Sequence, residues 1–171
     1  MGISLETPKN WVEFSLDDAA VTRMSTTPVA VARKRAGISV TSLAAALGIT
    51  EPACWDLLYH PSGVSMCLTL RQFVQLASVL AVPPLSLVPD APASAGVHRT
   101  LPELAGAIRE LCAARGFSVE QFGEHAGWDV QSFLQAPDSA LDDWCLDTLR
   151  HVCHALDLHW PDFLPDATPV V

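Results

Sequence analysis

Along the first half of the chain the apolar positions return every three or four residues, and no stretch of useful length alternates with a period of two. Leu70, Phe73, Leu76, Ala77 and Leu80 form one such series, the spacing of a helix with a single buried side. A shorter series, Val40 to Leu47, follows Ser39, whose side chain can accept a backbone N–H at a helix start, and precedes Gly48, which can take a left-handed backbone. Thr50 and Pro52 open the next helix, where the missing proline N–H costs nothing, and Cys54, Leu57 and Leu58 give it a buried side. The pattern predicts two short helices about a tight glycine turn. A helix over Val29 to Arg35, with Val29 and Ala32 inward, precedes them; a loop at His60 to Met66 and a helix over Leu68 to Ala81 follow. The expected fold class is all-α.

The pattern returns. Gly37, Ser39, Val40 and Gly48 recur as Gly116, Ser118, Val119 and Gly127, a constant offset of 79, and Leu43 and Cys54 recur as Phe122 and Phe133. Downstream the offset is 76, pairing Leu70 with Leu146, Phe73 with Leu149, Leu80 with Leu156 and Pro89-Asp90-Ala91 with Pro165-Asp166-Ala167. A three-residue deletion in the loop after the glycine-turn pair accounts for the change, and the series as a whole reads as an internal duplication. The second copy is expected to contain helices over Leu101–Arg115, Val119–His125, Asp129–Gln135 and Leu141–Leu156, closed by Trp160–Leu164. The boundaries follow: an N-terminal arm over 1–27 with a short helix beginning near Ser15, a first unit over 28–90, a Pro/Ala/Ser linker over 91–97 and a second unit over 98–171.

Composition narrows the function classes. Half of the 171 residues are apolar and 17% charged, which is the balance of a folded chain. No apolar run reaches the ~18 residues that cross a bilayer, and the start lacks a basic region followed by an apolar core, so no membrane association and a cytoplasmic location are expected. The five cysteines have no disulfide-scaffold spacing, and Cys54, Cys112 and Cys153 fall on apolar faces, as reduced core thiols do. His151, Cys153, His154 and His159 match no zinc spacing and point different ways on one helix, so no metal is expected. Nor is a cofactor or a catalytic residue: Glu124-His125 lacks a second ligand, and no Gly-rich phosphate cradle follows a strand. The net charge of −9 is uneven. Residues 28–97 carry three acids and four bases, whereas 98–171 carry twelve acids and four bases.

The run Gly-x-Ser-x-x-x-Leu-Ala-x-x-x-Gly-Ile-Thr at Gly37–Thr50, with the Leu70–Leu87 tail, resembles the helix-turn-helix domain of the lambda repressor and Cro-like family. Over about three quarters of the chain the resemblance implies two tandem bundles of four to five helices, the second degenerate. It also implies sequence-specific DNA binding, commonly as a homodimer, with the third helix in the major groove and the start of the second against phosphate. By that resemblance Thr50, Glu51, Ala53, Trp55 and Asp56 would face the groove and Ser39, Thr41 and Ser42 the backbone, with Lys34, Arg35 and Arg71 as phosphate contacts. The chain departs from the family in three ways: Val40 and Val119 stand where many members have a phosphate-clamping Gln; Arg33 faces Leu58 rather than a Glu; and the second copy has Cys112 and Pro137 at that pair. Neither third helix carries Lys or Arg, although neutralised phosphates supply much of the affinity for DNA. Two readings result. In one the chain is a DNA-binding transcriptional regulator whose first unit meets DNA while the acidic second serves dimerisation or a protein partner. In the other it is a protein-interaction module, antitoxin-like or regulator-binding, presenting Trp55, or Trp128 and Phe133, from the same scaffold.

Overall fold

The computed structural model describes residues 27–60, 62–93 and 96–164, and among these every regular element is helical. In the first half α1 spans Pro28–Ala36, α2 Val40–Leu47, α3 Glu51–Tyr59, α4 Gly63–Cys67 and α5 Leu70–Val79, followed by a 3₁₀ turn at Pro84–Leu87. The second half contains α6 (Leu101–Arg115), α7 (Val119–Ala126), α8 (Val130–Gln135), α9 (Ala140–Asp143) and α10 (Leu146–Ala155), with 3₁₀ turns at Pro137–Ser139 and Trp160–Phe163. The arm helix expected near Ser15 and the repeated Pro165-Asp166-Ala167 lie outside the described residues.

Local chemistry sets the helix ends. Ser39 Oγ accepts the Ser42 N–H at 3.0 Å, and its counterpart Ser118 accepts that of Gln121 at 3.2 Å while Gln121 bonds back to the Ser118 N–H at 2.9 Å. Gly48 and Gly127 close α2 and α7 at φ +65° and +74°, a region where an L side chain is strained. Thr27 ties two elements together: its hydroxyl accepts the Ala30 N–H that opens α1 and donates to the Leu58 carbonyl at 2.8 Å. The buried residues form a single cluster running through both halves, from Val29, Leu43, Leu57 and Phe73 to Leu104, Ile108, Leu146 and Leu149. Cys54, Cys112 and Cys153 are reduced and buried in it, and burial pushes the Cys153 thiol up to about 12.

Three expectations need correction. Gly63–Cys67 is a helical turn rather than loop, and Gly63 begins it because a Cβ there would lie 2.9 Å from the Asp56 carbonyl oxygen. The helix expected over Leu141–Leu156 is two, α9 and α10, separated by extended Trp144 and Cys145. The three-residue deletion falls not in the loop but in the third helix, which has nine residues in α3 and six in α8, close to one turn less.

The break at Trp144 is the seam of the molecule. Thr69 forms an isolated antiparallel bridge with Cys145, and the Leu70 N–H donates to the Trp144 carbonyl at 2.8 Å. Thr69 and Cys145 are equivalent under the downstream offset, as are α4 with α9 and α5 with α10. Across the seam α5 packs on α9 and α4 on α10, so each contact is the counterpart of the other. Such reciprocity is the signature of an isologous, two-fold pairing, made here within one chain.

Candidate functional site

The residues expected to meet DNA divide into a cationic corner, the start of α2 and the outer face of α3. Lys34 and Arg35 are exposed in the last turn of α1, where positive charge also suits the helix dipole, and no ion-pair partner is recorded for them among the described residues. Arg33 is half-buried; it donates from Nη1 to the Ile38 carbonyl at 2.7 Å, while its buried Nε has no hydrogen-bond partner there. The guanidinium therefore braces the turn between α1 and α2, with the Ile38 carbonyl as its acceptor.

Ser39, Thr41 and Ser42 are all exposed at the opening of α2, whose first turn holds no carboxylate. The N–H groups of such a turn lack intrahelical partners and carry partial positive charge, a surface suited to a phosphate oxygen. The second copy has changed at this point. Glu120 stands one residue into α7, and hydrogen bonds from its own N–H and from Ser118 hold its carboxyl below the usual range. Asp129 caps α8, accepting the Ser132 hydroxyl at 2.6 Å and the Ser132 N–H at 3.1 Å, and those bonds lower its pKa. The second half thus places a carboxylate at the starts of both α7 and α8. The sequence reading missed the part of Glu120, though its position just after a capping Ser was visible.

On α3, Thr50 caps through a 3.4 Å bond from the Ala53 N–H, Ala53 is half-buried, and Glu51 and Asp56 are exposed. Trp55 is 41% exposed and stacks on Tyr59 with ring centroids 5.5 Å apart. Trp128 has the opposite environment: it is half-buried in an aromatic cluster with Phe133 and the buried Trp144. Arg71 is also placed differently from a phosphate contact. Its Nε and Nη2 reach the two Asp142 oxygens at 2.6 and 3.0 Å across the seam, a bidentate pair that raises the guanidinium pKa and lowers that of the carboxyl. The structure brings Lys34, Arg35, Ser39, Thr41 and Ser42 to one end of the first half and leaves Arg71 at the seam. No protein-family model matches the chain, and neither do the curated proteins or the solved structures with which it was compared.

Proposed function

We propose that the chain is a cytoplasmic DNA-binding transcriptional regulator built from two lambda repressor-like helix-turn-helix bundles, the first of which meets DNA. One observation carries the reading: the opening of α2 is exposed, free of carboxylate and flanked by Lys34 and Arg35, whereas Glu120 covers the equivalent opening of α7. In this reading α2 sits on phosphate and α3 enters the major groove, with Thr50, Glu51 and Trp55 toward base edges. The second half stands where a homodimer would supply its second subunit, and its acidic helix starts keep it off the backbone or free for a protein partner. The test is selection of bound duplexes from a random-sequence pool by the full chain, followed by anisotropy at several salt concentrations. Binding should weaken with salt. Replacing Lys34 and Arg35 with Ala should weaken it on every selected sequence and flatten the log–log salt slope by up to ~1.8, since each neutralised phosphate contributes ~0.9. A chain that enriches no duplex, or a double variant with an unchanged slope, overturns the proposal.

The stacked Trp55–Tyr59 pair, on the same helix as exposed Glu51 and Asp56, favours a second reading, a protein partner that brings cations to this face. Under it Trp55→Ala abolishes capture of the partner and leaves the response to DNA unchanged.

A further inference from the structure

The two copies differ where the second helix of each unit meets the last long one. In the first half α2 packs directly on α5, and Gln72 and Gln75 strap the contact by donating to the Leu47 and Ala46 carbonyls at the end of α2. Under the downstream offset those glutamines become Thr148 and His151, and Thr148 bonds instead to Cys145 at its own helix start. Leu47 becomes Ala126 and Val79 becomes Ala155, so two large side chains are also lost from the same place. The result is that α7 and α10 make little direct contact, and a cleft of about 620 Å³ opens between them.

That volume lies within the range of small-molecule sites. Phe122 and the two small alanines line its apolar side, Phe117 borders it while 50% exposed, and the N–H-bearing groups are Arg115, His151 and the Gln121 amide, whose oxygen is taken by the Ser118 N–H. No carboxylate lines it, in a half of the chain that holds twelve acids and four bases. Of those four bases, Arg99 and Arg150 lie against Phe163 and Trp160 and Arg109 donates to the Leu134 carbonyl, whereas Arg115 borders the cleft.

We propose that this cleft binds an amphipathic monocarboxylate, its carboxylate on the Arg115 guanidinium and the His151 ring N–H, and its aromatic or aliphatic body against Phe117 and Phe122. Charge complementarity selects the class: an apolar body alone would leave Arg115 solvated at the rim, while a polyanion would meet the negative field of this half. The site stands independently of any contact with DNA.

Calorimetric titration of the full chain with indole-3-acetate and decanoate, each beside its neutral amide, tests the assignment. The acids should bind at least tenfold more tightly than the amides, and Arg115→Gln, an exposed change that leaves the fold intact by circular dichroism, should remove that preference. Ala126→Leu combined with Ala155→Val, which restores first-copy side chains, should abolish binding of both acids. Equal binding of acid and amide, acid binding that persists in Arg115→Gln, or binding unaffected by the filling substitutions overturns the proposal, as does the absence of binding by either acid.

Discussion

Ala81 and Asp157 end the last long helix of each half in the same left-handed conformation, at φ +53° and +56°, although neither is glycine. An L side chain there costs of order 1 kcal/mol, part of which glycine would give back through its looser unfolded chain. Ala81→Gly should therefore raise stability by roughly 0.5 kcal/mol, whereas Gly48→Ala, at φ +65°, should lower it by ~1 kcal/mol, both read from urea midpoints. Thr27 is the opposite case, a polar side chain whose two bonds are both buried or nearly so. Thr27→Val keeps the shape but removes the cap and strands the Leu58 carbonyl, for an expected loss of 1–3 kcal/mol, on the order of other buried bonds left half-made. The thiols sort by burial in the same way. At pH 8 an aromatic disulfide reagent should modify exposed Cys67 quickly, while Cys153, held as the neutral thiol by burial beside Asp162, should react only after unfolding.

At the scale of elements, what could be read from the chain was whatever the local code spells out. Ser39 with Gly48, and Ser118 with Gly127, announce a helix, its cap and its end within ten residues, and the structure has them there. The break between α9 and α10 was hidden because Leu141, Trp144 and Leu149 continue a helical spacing; what interrupts the helix is the pairing of Cys145 with Thr69, a contact between residues 76 positions apart. The offset that revealed the duplication repeated the error, since the counterpart of Trp144-Cys145 is Leu68-Thr69, which the spacing also placed inside a helix and which the structure puts just before α5. The loss of a turn from α8 was obscured for a similar reason: the offset changes somewhere between Phe133 and Leu146, and only the helix ends say where. The candidate site was legible as residue types, Lys34, Arg35 and the serines of α2, but the removal of Arg71 to Asp142 depends on how the halves meet. Gly63 shows how tight the junction of α3 with α4 is within the first half. Gly63→Ala must push α4 away from the Asp56 carbonyl and the Leu57 backbone, 2.9 and 3.1 Å from the new methyl group, and should cost 1–3 kcal/mol as overpacking does.

The whole molecule is held at its seam by a backbone bond, by the packing of α5 on α9 and of α4 on α10, and by the exposed Arg71–Asp142 pair, which being solvated adds little. Each half alone would expose those helix faces, and each has only a small core of its own, so the two are expected to unfold together rather than as separate beads. A substitution far from the seam in one half can detect this. With Trp11 and Trp55 replaced by Phe, the remaining tryptophans, Trp128, Trp144 and Trp160, all lie in the second half. Leu43→Ala then opens a cavity in the first half, at a fully buried position on α2, and should cost 2–5 kcal/mol. If the seam couples the halves, the fluorescence transition of the second-half tryptophans moves to lower urea by as much as the loss of helix seen by circular dichroism, and both stay single and superimposed. Tryptophan emission that holds its midpoint while part of the helical signal melts early would mean the seam is too weak to join the two copies. The second half would then not stand in a fixed relation to the first, as a built-in partner for the unit proposed to meet DNA must.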